Sequence, residues 1–336
     1  MISITVFEQD RMREGRLTEL RDLLASDKTT VWVEIANPDD VDVGVLQDVF
    51  HFHPLAIEDT RNHEQRPKLE EYPGYLFMLV NTVVMTEQRP DLLKTKGGLT
   101  LHDLDVQELD IFVGHNYLVT VHLQADPIVQ QVKRRISLGA SLHVSAGYLL
   151  YVLLDEVIDS YFPIMEMFEE EIGALEDRIL QRPQRYMLNR LFELKHMLTH
   201  MWRVVWPERD ILAVLMHPHN LVFGQTDSMQ FYLRDVSDHL LWLVDMLATY
   251  RDTLTTMIDL YMSSVSNQLN LVVNRLTVMT LIIGVMTVVS GFYGMNFEQT
   301  WPSFKEPWGV PFVLALMGFG IGGILMLVKW LRREQA

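Results

Sequence analysis

Tyr293-Gly294-Met295-Asn296-Phe297-Glu298 stands between two long apolar segments near the C-terminal end of the chain. The segment Leu276–Phe292 precedes it and is interrupted only by small residues, and Val310–Trp330 follows a short polar connection. A helix needs roughly 20 residues, at about 1.5 Å each, to cross a hydrocarbon layer of about 30 Å. The two segments are therefore predicted to cross a membrane twice, and the quoted stretch opens the loop that connects them.

The five residues Tyr293–Phe297 read Tyr-Gly-Met-Asn-Phe, at the outer end of the first of two C-terminal membrane helices. This tail resembles the CorA family of magnesium channels, and further matches extend the resemblance over most of the chain. The resemblance implies a homopentamer of the bacterial inner membrane that conducts Mg²⁺, and also Co²⁺ or Ni²⁺. Without the resemblance, Gly294 and Asn296 have a simpler interpretation, because glycine and asparagine commonly end helices.

The composition narrows the possible classes of function. Acidic residues outnumber basic ones, 44 to 28, and the formal net charge is −16, which argues against a nucleic-acid-binding protein. The sequence contains no cysteine, so disulfides and thiolate metal sites are excluded. The N-terminal residues lack the basic and apolar regions of a signal peptide. Since no cluster resembles a catalytic site, an enzyme is the least favoured class.

The chain is predicted to be an α+β protein with an N-terminal αβα-layered cytoplasmic domain, a helical hairpin, a very long stalk helix and two transmembrane helices. Val, Ile, Phe and Tyr mark the expected strands, which are Ile2–Phe7, Thr30–Ile35, Tyr75–Met85 and Ile111–His122. Met12–Ser26 and Val41–Phe50 are predicted helices, and Asp39 or Asp40 is available to cap the second. The predicted divisions are 1–125 (α/β domain), 126–225 (helical arm), 226–293 (stalk and first crossing), 294–309 (external loop), 310–331 (second crossing) and 332–336 (cytoplasmic tail).

The helical arm is predicted from proline positions and amphipathic patterns. Pro127 begins a helix, Tyr148–Ile179 forms a long acid-rich helix that ends before Pro183, and Gln184–Pro207 forms the second helix of an antiparallel hairpin. The stalk follows. Neither glycine nor proline occurs between Gln225 and Ile283, so one helix of about 65 residues, roughly 100 Å long, is expected.

The resemblance assigns roles to residues of the first crossing. It places Gly294, Met295 and Asn296 in the selectivity filter, with Asn296 as a ring at the outer mouth. The pore-lining positions that it implies are Thr287, Gly284, Leu276, Val273, Asn270 and Asp259. Gly284-Val285 stands where family members commonly carry Met-Pro, so a constriction at that level is doubtful and an apolar gate is expected at Leu276 and Val273. Uncharged amides suit an ion that loses its water reluctantly, and glycine at 294 is expected to let the backbone turn at the helix end.

The resemblance also implies regulatory Mg²⁺ sites between subunits. Glu58 and Asp59 match the family's paired acids, Asp155 a second regulatory acid, and Asp235 the partner of Asp59 in the next subunit, while His239 is expected to join Glu58 and Asp155. The bound ion would bridge neighbouring subunits in the closed ring. Without it, the carboxylates are expected to repel one another.

Basic residues flank the two crossings and predict their orientation. Arg275 precedes the first crossing, and Lys329, Arg332 and Arg333 follow the second, so both termini are expected in the cytoplasm. Glu298 and Glu306 would then lie in the external loop, where they could attract cations. In the second crossing, Gly318-x-x-x-Gly322 has the spacing of close helix contacts, although glycine is also simply frequent in membrane helices.

Histidines keep other interpretations open. His196 and His200 are four residues apart, a spacing that can hold a metal, but ordinary packing is the favoured interpretation for them and for His217 and His219. A zinc transporter of the related ZntB type, with or without proton coupling, is the second hypothesis, and the complete Gly-Met-Asn motif counts against it. A membrane-anchored sensor that has lost transport is the third, to which Gly284 lends slight support.

Overall fold

The structure is a computed structural model of the 336-residue chain. It describes residues 1–8, 11–62, 65–85, 104–124, 126–138, 144–217, 227–295, 301–302 and 306–334. These residues form two compact units, 1–258 and 259–336. The predicted α+β fold class is confirmed by the elements of both units.

The first unit is built around a seven-stranded sheet with the strand order β2-β1-β3-β7-β6-β5-β4. The strands are β1 (Ile2–Glu8), β2 (Arg11–Glu14), β3 (Thr29–Ala36), β4 (Lys68–Tyr72), β5 (Tyr75–Met85), β6 (Leu104–Gly114) and β7 (Tyr117–His122). The pair β3 and β7 is parallel, and the other neighbouring strands are antiparallel. The sheet is therefore mixed, with its one parallel pair near the centre.

Helices cover both faces of this sheet. On one face, α1 (Leu20–Leu24), α2 (Asp40–Asp48) and α3 (Pro54–Asp59) contribute to a core that includes Val33 and Phe112. Trp32 points the opposite way, because successive side chains of a strand alternate between faces. Its Nε1 donates to Thr120 Oγ1 at 3.1 Å. On this opposite face of the sheet, α4 (Pro127–Leu138) and α5 (Ala146–Asp159) form the third layer.

The predicted helix Met12–Ser26 is wrong over its first half. Arg11–Glu14 forms β2, an exposed edge strand in which Arg13 pairs with Val6 of β1. The following Gly15 donates its backbone N–H to Ile4 O at 2.9 Å, and a Cβ at residue 15 would lie 2.7 Å from Ile4 Cγ2. Because the chain is held against β1 up to Gly15, α1 begins only at Leu20.

The predicted strand Ile111–His122 is two strands joined by a tight turn. β6 ends at Gly114, and β7 begins at Tyr117. The Asn116 side chain donates to Leu24 O and to Ser26 O, both at 3.1 Å, which holds the turn against the end of α1. A Cβ at Gly114 would lie 2.3 Å from the Tyr117 ring, so the turn requires glycine there.

The helical arm differs from prediction at two prolines. The predicted helix Tyr148–Ile179 is broken into α5 and α6 (Phe162–Gln181), because Pro163 lacks the N–H that a continuous helix needs. By contrast, α7 (Arg185–Leu215) continues through Pro207, where the prediction had ended it. Ile211, Leu212 and Leu215 are buried beyond the proline, and this packing offsets the lost hydrogen bond.

The predicted hairpin of α6 and α7 is confirmed by an ion pair that joins the two helices. Arg190 is 8% exposed, and its Nε and Nη2 donate to the two carboxylate oxygens of Glu171 at 2.5 and 2.6 Å. Two parallel bonds of this kind are the strongest arrangement of a guanidinium and a carboxylate. They join the two helices across the hairpin, about two turns or more from the link 182–184.

The stalk helix and the final helix are present as predicted. α8 (Asp227–Gly294) has 68 residues, and α9 (Gly309–Glu334) has 26. The apolar stripe of α8 is buried at Leu240, Leu247 and Leu254 in the first unit. Farther along the same stripe, Leu269 is 62% exposed and Val272 is 59% exposed.

Candidate functional site

Two carboxylates and one imidazole come together where α5 meets α8. Asp155 and Asp159 lie one turn apart on α5, and His239 lies on α8. His239 Nδ1 is 3.6 Å from Asp159 Oδ1 and 4.0 Å from Asp155 Oδ1. One ligand atom of each residue lies within 4.8 Å of the others, which is close enough for a single ion to reach all three.

The environment of this cluster leaves it ready to accept a cation. His239 Nδ1 is buried and makes no hydrogen bond within the described part of the chain. Burial, and then the neighbouring charge of Asp155, raise the pKa of Asp159, while Arg135 Nη1 neutralises Asp155 Oδ2 at 2.7 Å. A bound cation would give a partner to the His239 ring nitrogen and to Asp159, whereas Asp155 is already paired with Arg135.

The donor set fits a divalent ion. Mg²⁺ takes oxygen ligands, whereas imidazole suits Co²⁺, Ni²⁺ and Zn²⁺. Asp155 and His239 were predicted as metal ligands, and the structure brings them together. Asp159 was missed, although its position one helical turn after Asp155 placed it on the same helix face.

The paired acids Glu58 and Asp59 lie at the end of α3, outside that cluster. Glu58 is exposed. Asp59 Oδ2 accepts a bond from Lys68 Nζ at 2.7 Å. Burial alone would lower the pKa of the Lys68 ammonium, but its bonds to Asp59 and Glu70 outweigh this effect and raise that pKa.

Asp59 is therefore already paired with a cation inside its own subunit. This differs from the expectation that the ion-free acids simply repel one another. Asp235 is exposed on α8. Its predicted pairing with Asp59 of a neighbouring copy, and that of His239 with Glu58, stay predictions.

All six predicted pore positions lie on α8 and are exposed. Leu276 is 63% exposed and Val273 is 52% exposed. Other sides of the helix are equally open, since Met279 and Ile283 are each 61% exposed. Exposure of the predicted pore face is therefore compatible with a pore, but it does not single that face out.

The hydroxyl groups along this part of α8 are satisfied within the helix. Thr287 Oγ1 donates to Ile283 O at 2.8 Å, and Thr280 Oγ1 donates to Leu276 O at 2.9 Å. Ser290 Oγ donates to Met286 O at 2.7 Å. Bonds of this kind let small polar side chains occupy a helix without water as a partner.

α8 ends at Gly294, inside the predicted filter. Gly294 does not adopt a positive φ, and a Cβ there would meet no atom within 4 Å. Gly294 therefore ends α8 without a left-handed backbone conformation, and its expected part in a backbone turn stays a prediction. Met295 is 57% exposed and Glu306 is exposed, while Asn296 and Glu298 lie outside the described residues.

Within the second unit, α8 and α9 come into close contact at a glycine. A Cβ at Gly320 would lie 2.7 Å from Val285 Cγ1, whereas Cβ atoms at Gly318, Gly322 and Gly284 would meet no atom within 4 Å. Within one chain this contact uses Gly320, and a close helix contact at Gly318-x-x-x-Gly322 stays a prediction. It places Val285, the residue after Gly284, against α9.

The other predicted histidines do not form a metal cluster in the part of the chain that the structure describes. His196 is exposed, and His200 lines a cavity of about 630 Å³ together with Arg66 and Arg203. His217 is exposed at the end of α7, and His219 lies outside the described residues. The i, i+4 spacing of His196 and His200 thus has no accompanying carboxylate ligand there.

Two helices, Met229–Gly294 and Gly309–Trp330, are long and apolar enough to cross a membrane. The sequence profile described as "CorA-like Mg2+ transporter protein" matches residues 27–333, which covers most of the chain and both helices. The chain belongs to the CorA-like Mg²⁺ transporter family. Members of this family are ion transporters, and the transported ligands are divalent cations.

Individual relatives agree with this assignment to the CorA-like family. The chain is 31% identical to the cobalt/magnesium transport protein CorA of Thermotoga maritima, over 98% of this chain and 92% of that protein. It shares the fold of CorA from Methanocaldococcus jannaschii, with a TM-score of 0.76 at 23% identity over 97% of this chain and 96% of that one. The ZntB cytoplasmic domain of Vibrio parahaemolyticus also shares the fold, with a TM-score of 0.62 at 11% identity over 79% of this chain and 99% of that domain.

Proposed function

We propose that several copies of this chain form a passive channel that conducts hydrated Mg²⁺, with a ring of Asn296 side chains at its outer mouth. The observation that carries the proposal is the membership of the CorA-like family together with the complete Tyr-Gly-Met-Asn-Phe motif at 293–297, directly after an exposed apolar helix. A subunit with two crossings is too small to enclose an aqueous path alone. Conduction therefore requires a ring, for which the family resemblance suggests five copies.

The exposed surface of α8 supports an assembly in lipid. Large apolar side chains are open on several sides of the helix, including Leu276, Met279 and Ile283. Lipid chains or helices of sister subunits would cover them. On the side that faces the ring axis, Leu276 and Val273 form an apolar collar that closes the path by excluding water, and Thr287, Asn270 and Asp259 line the rest of it.

The chemistry of the ion explains an amide at the mouth. Mg²⁺ holds its water tightly, so a selective site does best to bind the hydrated ion. Amide oxygens of Asn296 accept hydrogen bonds from that water without stripping it. At the mouth, a carboxylate ring would bind the ion more tightly than amides do and slow its release, whereas Glu298 and Glu306 can concentrate cations from a distance.

Regulation is assigned to acids of the first unit. Asp59 of one subunit and Asp235 of the next hold one ion, while Asp155, Asp159 and His239 hold another, with Glu58 nearby on the neighbouring copy. A ligand shifts an equilibrium only by its difference in affinity between the two states. Sites that bind an ion more tightly in the closed ring would therefore close the channel as internal Mg²⁺ rises.

Orientation follows from the basic residues that flank the helices. Arg275, Lys329, Arg332 and Arg333 place both termini in the cytoplasm, which puts the motif on the outside. The first unit then samples internal ion concentrations. We assign the chain to a bacterial inner membrane.

Ion flux into liposomes tests this function. The chain should admit Mg²⁺ without a proton gradient, Co²⁺ and Ni²⁺ should compete, and Asn296→Ala should reduce the flux by at least about tenfold, a loss of about 1.4 kcal/mol. Gln268→Ala on α8 is the control, and it should leave the flux unchanged because it is exposed and lies about 160° around the helix from Asn270. Equal flux for wild type and Asn296→Ala would contradict the filter. Zinc flux that depends on a proton gradient would favour the ZntB-like alternative, and an absence of flux would favour a sensor.

A further inference from the structure

The two acids assigned to regulatory ions each carry a positive side chain of the same subunit. Lys68 Nζ lies 2.7 Å from Asp59 Oδ2, and Arg135 Nη1 lies 2.7 Å from Asp155 Oδ2. Neither acid is fully open to solvent, since the Asp59 side chain is 21% exposed and the Asp155 side chain is 7% exposed. A divalent ion that arrives at either acid therefore meets a charge that is already compensated.

Each of these cations also has a second carboxylate within reach. Lys68 Nζ lies 3.2 Å from Glu70 Oε1, and Arg135 Nη1 lies 3.4 Å from Glu156 Oε2. Glu70 is held in place because Tyr72 donates its hydroxyl to Glu70 Oε2 at 2.8 Å. Lys68 thus lies between Asp59, to which a regulatory role is assigned, and Glu70, to which none is assigned.

The position of Lys68 lets it move between these acids without disturbing the fold. It is the first residue of β4, and Glu70 follows two residues later on the same side of that strand. The ammonium is a compact charge on a flexible four-carbon chain, and the Lys68 side chain is 30% exposed. A small rotation of the side chain therefore shifts the ammonium from Asp59 towards Glu70.

We propose that Lys68 is a tethered competitor of the regulatory divalent ion at Asp59, and that Glu70 receives its ammonium when the ion binds. This inference rests on the proposed regulatory role of Asp59. The tethered charge lowers the affinity of Asp59 for the ion, and the alternative acceptor limits that loss. Together the two side chains set the ion concentration at which the site fills. Arg135, with Asp155 and Glu156, repeats the arrangement at the second site.

Direct ion binding tests the proposal without any measurement of transport. Mn²⁺, which shares the preference of Mg²⁺ for oxygen ligands, is titrated into the full chain in lipid nanodiscs, and free Mn²⁺ is followed by electron paramagnetic resonance. The component that Asp59→Asn removes reports the site. Lys68→Met should tighten this component about tenfold, whereas Glu70→Gln should weaken it severalfold, which is the range of coupling between charged groups in contact.

The double variant separates an acceptor role from a general electrostatic role of Glu70. With Lys68→Met in place there is no ammonium to receive, so adding Glu70→Gln should change the affinity little. Lys68→Arg keeps the charge and should bind ions much as the wild type does. Lys28→Met removes an exposed lysine elsewhere in the first unit, and it should also leave the affinity unchanged.

Three results would overturn the inference. Lys68→Met could bind no more tightly than Lys28→Met, or Glu70→Gln could have the same effect with and without Lys68. In either case a binding component sensitive to Asp59→Asn would leave the proposed regulatory site standing. If Asp59→Asn removed no component at all, the regulatory role of Asp59 and the inference would fall together.

Discussion

Arg190 in the first unit and Leu276 in the second reverse the usual distribution of charged and apolar residues. Arg190 is 8% exposed and has its charge matched by Glu171 of the same chain, whereas Leu276 is 63% exposed and has no comparable cover. The buried charge of Arg190 thus has its partner within residues 1–258. Residues 259–336 present apolar surface that one chain leaves open, and its cover must come from lipid or from other copies.

The difference shows where the function has to be assembled. The first unit already holds a possible ion site within one subunit, at Asp155, Asp159 and His239. One chain does not form the proposed pore, because its lining side chains face one another only when several copies assemble in a ring. The contacts of this one cluster therefore lie within a single chain, whereas the proposed Asp59–Asp235 site and the proposed pore both need neighbouring copies.

The largest expected effect in the first unit is on the pH dependence of its stability, and it comes from Glu208. It is 3% exposed, its Oε1 accepts from Tyr161 Oη at 2.8 Å, and burial raises its pKa to about 8 from an ordinary value of 4.5. Between these two values the folded chain binds a proton that the unfolded chain does not bind. The contribution of Glu208 to the free energy of unfolding should therefore be fully present below pH 4.5. It should be lost as the pH rises towards 8, by on the order of 3–5 kcal/mol.

Glu208→Gln should remove most of that decline, because the amide stays neutral at every pH. The measurement is denaturant unfolding in detergent at pH 5 and pH 8, followed by far-ultraviolet circular dichroism. Glu170→Gln, which changes an exposed acid of α6, is the control and should retain the wild-type dependence. An unchanged pH dependence in Glu208→Gln would show that the first unit does not bury this acid as described.

A polar substitution in the proposed apolar collar should have a smaller effect, and it tests the second unit. Leu276→Asn should raise Mg²⁺ flux into liposomes at high internal Mg²⁺ about tenfold, because a wetted collar no longer closes the path. Leu271→Asn is the matched control. It lies five residues earlier, which is about 140° around the helix, and is 49% exposed.

We expect Leu271→Asn to change this flux by less than about twofold, since residue 271 faces away from the proposed axis. Similar increases for both variants would mean that the two sides of α8 are equivalent. The predicted collar at Leu276 and Val273 would then lose its support. The exposed helix would still require cover, but not the orientation proposed for it.

Much of the fold was predictable because local signals agreed with tertiary packing. β5 has the predicted bounds Tyr75–Met85, Asp39 caps α2 as expected, and the long helix α8 follows from the absence of helix-breaking residues. Pro163 carried a readable signal for the break between α5 and α6 that the prediction did not use. The failure at Pro207 is different, because only packing beyond that residue shows that the helix continues.

The site was predictable in part for a similar reason. Asp155 and His239 were named from the family resemblance, and Asp159 was within reach of a helical-spacing argument. The ion pair of Asp59 with Lys68 was not, because it joins the end of α3 to the start of β4 and depends on how those two elements pack. The pore positions follow the resemblance alone, and their partners belong to an assembly.

Disulfide cross-linking at position 296 tests the central claim most directly. The natural chain contains no cysteine, so Asn296→Cys introduces its only thiol. A disulfide requires Cα atoms about 4.4–6.8 Å apart, and a ring of these side chains around a common axis brings copies close enough for this during thermal motion. The account predicts disulfide-linked dimers when Asn296→Cys is oxidised in lipid nanodiscs, and none for Glu306→Cys in the same loop. A monomeric product for Asn296→Cys, together with a native mass of one chain, would contradict it.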